Sequence, residues 1–217
     1  MRPVIALGLL VPSLVLPAIA EAQPYHRHRE RRYHYYPERY PERVHYNDHQ
    51  GLLLRFTAGA GGVAADDNLN DVTLSGGAGS FSVDLGGSLV PSLALHGRLA
   101  LNTMFEPSVS EGGAYAGDLA DTSLTFALLG VGATYYLPSN LYLTGVVGLS
   151  RASFQIYGNE YDALDGVGVM GDLGYEWPIG GDWGLGLAGR LELHSVRGEG
   201  ERLSTAGLGV VLSLTHF

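Results

Sequence analysis

The chain contains no cysteine, and all 13 of its basic residues are arginine, so it has no lysine either. Without cysteine there can be no disulfide, no thiolate nucleophile and no cysteine-ligated metal, a composition compatible with an oxidising compartment. Helical periodicity is also missing: from residue 51 onward no stretch repeats its apolar residues every three to four positions. What the chain has instead is glycine, 32 residues of 217, with 46% hydrophobic residues. That combination argues against a helix-rich soluble enzyme and against a low-complexity chain.

The first residues, "MRPVIALGLLVPSLVLPAIAEAQ", carry one early cation at Arg2, an apolar run broken by Pro12 and Pro17, and the small-residue triplets Ala18-Ile19-Ala20 and Ala20-Glu21-Ala22. This pattern predicts a secretory signal peptide over 1–22, cleaved after Ala20 or Ala22; the competing reading is an N-terminal membrane anchor. Residues 23–50, "QPYHRHRERRYHYYPERYPERVHYNDHQ", hold six arginines, four acids and five of the eight histidines, with a short "YPER" repeat. They lack the apolar content to offset ordering entropy, so a disordered, flexible periplasmic tail is expected. His26, His28, His45 and His49 have spacings that suit imidazole ligation of a metal, but nothing completes a shell, and a solvated basic arm touching anionic envelope components is the simpler reading.

From Gly51 the texture changes to runs with two-residue periodicity. Apolar residues share one parity at Leu52, Leu54 and Phe56; at Phe81, Val83 and Leu85; at Leu93, Leu95, Leu99, Leu101 and Phe105; at Leu141, Leu143, Val147 and Leu149; at Val167, Val169, Leu173, Tyr175 and Trp177; at Leu185, Leu187, Leu191 and Leu193; and in the last run, 203–217. The run 122–137 is apolar on both parities, so its facing is ambiguous. Eight such runs without helices predict an all-β fold, an eight-stranded antiparallel barrel over 51–217. Tight turns at "VPS" 90–92, "LPSN" 137–140 and "IGGD" 179–182 alternate with longer polar loops at 66–72, 106–121, 157–163 and 197–202. Short turns at one end and long loops at the other are the pattern of a transmembrane barrel, with both termini on the short-turn side.

Tyr135, Tyr136, Tyr142, Tyr175, Trp177 and Trp183 all lie near the short turns, which predicts an aromatic girdle at that membrane interface. On the parity opposite the leucines fall Arg55, Asp84, His96, Arg98, Asp172, Glu176, Arg190, Glu192 and His194. An eight-stranded barrel is just wide enough for side chains to fill it, so these charges are expected to meet across the lumen as a paired, non-conducting network. If the barrel were instead soluble, the leucines would line a lipid-binding cavity.

The signal peptide, the rhythm of runs and turns, and a terminal strand "GVVLSLTHF" ending in Phe217 together resemble the small outer-membrane β-barrels of the OmpX/OmpA transmembrane-domain type, over 51–217. The resemblance implies a bacterial outer-membrane location, porin-like architecture, outer-membrane lipid and lipopolysaccharide as surroundings, and insertion machinery that reads a C-terminal aromatic, here Phe217. It further implies a monomer without cofactor, in a structural, adhesive or surface-interaction role. In Phe217's register stand Thr215, Ser213 and Val211, whereas Leu214, Leu212, Val210 and Leu208 occupy the other; a bulge or a frayed last pair would reconcile the two.

Such barrels include lipid A deacylases, and Glu192, His194 and Ser195, with Glu199 and Glu201 beyond, are the residues a lipid-modifying hydrolase would use. Adjacent strand residues point to opposite faces, however, so His194 is poorly placed to activate Ser195, and a non-enzymatic protein is expected. The acidic loop Asp66 to Asp71 offers Asp66, Asp67 and Asp71 as weak cation ligands without an EF-hand pattern. Over 51–217 six arginines face seventeen acids, a formal charge of −11, which disfavours nucleic-acid binding. The segments "GAGG" 59–62 and "GGAG" 76–79 lack the following helix of a nucleotide site and read as strand glycines.

Overall fold

The computed structural model describes residues 51–67, 72–156, 159–160, 163–198 and 201–217. The expected signal peptide (1–22), the tail (23–50) with its histidines, Asp71 and Glu199 lie outside the described residues.

Strict alternation over long runs leaves an extended chain one apolar and one polar face, and the ladder follows from it. The described strands are β1 (Leu52–Asp67), β2 (Val72–Val90), β3 (Leu93–Phe105), β4 (Ser108–Glu111), β5 (Ala114–Asp118), β6 (Thr122–Tyr136), β7 (Leu141–Ile156), β8 (Asn159–Glu160), β9 (Leu164–Gly180), β10 (Trp183–Gly198) and β11 (Glu201–His216). Eight are long, and each pairs antiparallel with its neighbours in the order β1-β2-β3-β6-β7-β9-β10-β11. β1 also pairs with β11, from Leu54 opposite His216 to Asp67 opposite Leu203, which closes the ring. The result is an eight-stranded antiparallel up-and-down barrel without an open edge, the arrangement that satisfies every ladder hydrogen bond internally.

At the short-turn end the chain reverses tightly; Asn140, with φ 61°, supplies the left-handed residue that ends the turn before β7. At the other end the segment 106–121 folds partly into β4 and β5, a hairpin that extends β2 beyond the barrel wall. The expected loop at 197–202 is shorter than its polar composition suggests, because Arg197 pairs with Arg202 and Gly198 with Glu201 within the ladder.

Leucine, valine and phenylalanine cover the outside: Leu85, Leu99, Leu143, Val147, Leu149, Val169, Leu173, Leu191, Leu193, Leu208 and Leu212 are all exposed. These leucines therefore face away from the lumen, whereas the soluble lipid-binding alternative needs them to line it. In β6 the ambiguity resolves with Leu124, Phe126, Leu128, Thr134 and Tyr136 inside and Leu129, Val131 and Tyr135 outside.

Two expectations about aromatics need correction. Tyr135, Trp177 and Trp183 stand on the outer surface, but Tyr136 and Tyr142 point inward and are buried, so the girdle is smaller than proximity to the turns implied. Phe217 is also turned inward, 8% exposed, with its ring edge-on to Tyr136 at 5.5 Å. No bulge intervenes, since β11 pairs without register shift from Leu203 to His216 on both flanks. The outward ring at the chain's end is instead His216, packed against Trp183 at 4.8 Å.

Glycines divide by face. A Cβ at Gly148, on the inward parity of β7, would stand 2.3 Å from the backbone oxygen of Leu129 and 2.4 Å from the Cα of Gly130, whereas a Cβ at outward Gly145 meets nothing within 4 Å. Gly148→Ala should therefore lower stability by about 1–3 kcal/mol, as overpacking does. Gly145→Ala should change it by less than about 0.5 kcal/mol. Urea titration of both variants in lipid vesicles checks the contrast.

Candidate functional site

The lumen is where the polar parity of all eight long strands converges, and it is stacked in layers. Nearest the short turns, Leu53, Ala94, Ala188, Val211 and Phe217 pack around Tyr136 and Tyr142. Arg55 rises above them: its Nε donates to Thr215 Oγ1 at 3.0 Å, its Nη2 donates to the Tyr136 hydroxyl and reaches Glu176 Oε2 at 3.4 Å, and its guanidinium lies 4.6 Å above the Tyr142 ring. A cation over an aromatic face in a desolvated setting is a favourable arrangement.

The middle layer carries the strongest pairing. Arg98 donates from Nε and Nη2 to both oxygens of Asp84, its direct cross-strand neighbour, at 2.6 and 2.8 Å. Its Nη1 crosses the lumen to Asp172 Oδ2 at 2.7 Å. Asp172 in turn accepts from Arg190 Nε at 2.7 Å, and Arg190 Nη2 reaches Thr57 and Ser82 at 3.2 and 3.3 Å. Asp84, Arg98, Asp172 and Arg190 thus form one chain of bidentate and bridging contacts that runs from wall to wall, and all four are buried. Such charge-assisted forks are shorter and stronger than neutral hydrogen bonds. His96 sits beside the network, with Nε2 3.1 Å from Thr134 Oγ1 and Nδ1 4.0 Å from Asp84.

Above the charges lies a thinner polar layer. Asn102 Nδ2 donates to Glu192 Oε2 at 2.6 Å, and His194 Nδ1 is 2.8 Å from Ser150 Oγ, with its ring stacked on Phe126 at 5.2 Å. His194 Nε2 stands 3.8 Å from Glu192. The long-loop end is then filled by an apolar plug: Val63, Ala65, Met104, Leu124, Phe126, Leu164, Val196 and Leu203.

All nine lumen residues expected from parity are buried, and the structure joins Arg55 with Glu176 and Asp84 with Arg98, Asp172 and Arg190. Glu192 and His194 take partners that strand parity did not single out, Asn102 and Ser150. Both lie on the inward parity of their strands, but a lone polar residue there reads the same whether it meets a charge or only fills space.

The hydrolase constellation is rearranged. Ser195 is on the outward parity of β10, so the wall separates it from His194, and the serine that His194 meets is Ser150 of β7. Ser150, His194 and Glu192 are all buried beneath Phe126 and the plug, and the void beside Glu192 and Asn102 is only about 10 Å³. That is about the room of one water molecule and none for an ester substrate. The side chain of Glu201 is not among those described. Asp66 accepts from Thr73 Oγ1 at 2.7 Å, and no group of three His, Cys, Asp or Glu side chains arranged for a metal occurs among the described residues.

An apolar exterior around a charged, filled interior defines a membrane-spanning barrel, the architecture of the bacterial outer membrane. No protein-family model matches the chain, and no curated protein matches it. Among solved structures, it is similar to the attachment invasion locus protein Ail of Yersinia pestis, at 11% identity over 74% of this chain and 97% of that one, TM-score 0.42. It is also similar to Neisserial surface protein A, at 17% identity over 73% and 95%, TM-score 0.45. A third is the outer membrane protein OprG of Pseudomonas aeruginosa, at 14% identity over 78% and 97%, TM-score 0.46.

Because Arg98 neutralises two buried carboxylates, Arg98→Ala should destabilise the barrel by about 3–5 kcal/mol. Adding Asp84→Asn should recover part of that loss. Urea unfolding of single and double variants in vesicles measures the coupling.

Proposed function

We propose that this outer-membrane barrel is a non-conducting, non-enzymatic protein that works through its exterior: a structural or adhesive element whose acidic loops face outward while the barrel anchors them. The observation that carries this reading is the wall-to-wall chain Asp84–Arg98–Asp172–Arg190 capped by the Leu124, Phe126 and Val196 plug. A conducting pore of this size would need a continuous water path, and the lumen spends its width on paired side chains. The same plug argues against hydrolysis at Ser150 and His194, which meet each other and no open surface.

The excess of acids over arginines supports the surface role. Three of the six arginines of 51–217 neutralise lumen carboxylates, so most of the excess negative charge belongs to loops and strand ends. Acidic loops concentrate divalent cations and repel polyanions.

In planar lipid bilayers the purified protein should show no stable conductance while its folding is verified by heat-modifiable migration; large steady currents would refute the proposal. Ser150→Ala and His194→Ala should each leave the lipid A pattern of the envelope unchanged by mass spectrometry.

A further inference from the structure

The six arginines of 51–217 split into two sets. Arg55, Arg98 and Arg190 are inside, and the other three, Arg151, Arg197 and Arg202, fall in one hydrogen-bonded row on the outside of the barrel. Arg151 of β7 is registered opposite Asp165 of β9, Asp165 opposite Arg197 of β10, and Arg197 opposite Arg202 of β11. All four residues are exposed on the outward parity of their strands. We infer that this row is a binding site for the phosphate of a lipid headgroup at the long-loop face of the membrane.

Position is the first argument. Along the same strands the outward residues change in order from Val147, Val169 and Leu193, through Leu149, Val167, Ser195 and Ser204, to the arginine row. On β10 and β11 a pair of serines separates the apolar belt from the arginines, and on β7 Leu149 stands directly below Arg151; the belt ends at the row, where long arginine side chains extend their charge to the interface.

Charge balance is the second. Arg197 and Arg202 face each other directly across β10 and β11, a like-charge pair that a cross-strand position disfavours. The row's one carboxylate, Asp165, approaches Arg151 at only 3.9 Å with both side chains largely exposed, 67% and 75%. Among the described residues neither Arg197 nor Arg202 forms an ion pair; on β1 Asp66, two residue pairs below the level of Arg202, is held by Thr73, and Asp67, one pair below, lines the mouth beside Arg202. Two adjacent guanidinium groups about 5 Å apart at their Cβ atoms make a fork that fits one phosphate from both sides.

Chemistry of the surroundings is the third. Arg202 stands at the barrel lip, where with Asp67 it borders a mouth pocket of about 190 Å³ whose other walls are apolar: Val72, Leu74, Phe154, Leu164 and Leu203. A headgroup on the row lies beside apolar surface both below, on the belt, and at the lip, which suits an amphiphile better than a free anion.

The inference rests on the membrane-spanning reading, and the two fail differently. The full chain, purified in detergent and checked for heat-modifiable folding, is titrated with phosphatidic acid and, separately, phosphatidylcholine, and retained lipid is counted by native mass spectrometry. Phosphatidic acid should be retained preferentially. Arg197→Gln with Arg202→Gln should weaken retention by roughly fivefold per arginine, Arg197→Lys with Arg202→Lys should keep part of it, and excess inorganic phosphate should not release the lipid. Glu199→Gln with Glu201→Gln should preserve or raise retention, and a loss there would overturn the assignment. So would equal retention of phosphatidic acid by the glutamine variant, or displacement by inorganic phosphate. Recovery of the chain in water without detergent would instead overturn the membrane reading itself.

Discussion

Closure of β1 onto β11 is the constraint from which the remaining features follow. Hydrocarbon offers no partner to a backbone N–H or C=O, so a sheet that faces lipid has to use up its own edges, and eight strands leave an enclosed space only a few side chains across. The width then dictates the chemistry inside. A charge on one wall is within reach of the opposite wall, and in a desolvated lumen an unpaired charge is untenable. Arg98 meets this by spending its guanidinium on two carboxylates from different strands, and Asp172 does so by accepting from two arginines.

The same width explains the glycines and the layering. Where Tyr142 or His194 fills the lumen, the neighbouring strand gives up its own side chain: Gly174 is registered beside Tyr142 and Gly168 beside His194. The charges collect in the middle, where the hydroxyls of Thr57, Ser82 and Thr215 accept further arginine donors. The ends are sealed by apolar and aromatic groups, Phe217 with Tyr136 below and Phe126 with Val196 above. Hydrophobic burial therefore sits at the two lids of the lumen and in a smaller third cluster, Ala100, Leu128, Val146 and Met170, while the large leucine surface is left for lipid.

Much of this was legible before any coordinates. Period-two patterning identifies the strands, and parity places Arg55, Asp84, His96, Arg98, Asp172, Glu176, Arg190, Glu192 and His194 on one face. What parity cannot provide is the partner, because contacts across the lumen depend on strand tilt and stagger. Parity therefore separates Ser195 from His194 but does not identify Asn102 and Ser150 as the partners of Glu192 and His194. Aromatics were misplaced for a related reason: nearness to a turn sets the height of Tyr136, Tyr142 and Phe217 but says nothing of the side they face. Phe217 is instructive, since Thr215, Ser213 and Val211 in its register already carried the inward signature, and the register was right without any bulge.

The arginines show how one side chain serves two solvents. Arg55, Arg98 and Arg190 tolerate burial because a guanidinium has five donors in a plane and can be satisfied by carboxylates, hydroxyls and an aromatic face together. Arg151, Arg197 and Arg202 have the same donors at a boundary with one carboxylate among them. Lysine would suit neither place as well, since a point charge cannot bridge two acids or share a phosphate through a fork. A chain that uses arginine for all of its fixed cations is consistent with both demands: a lumen that needs geometry to neutralise charge, and an interface that needs reach to find it.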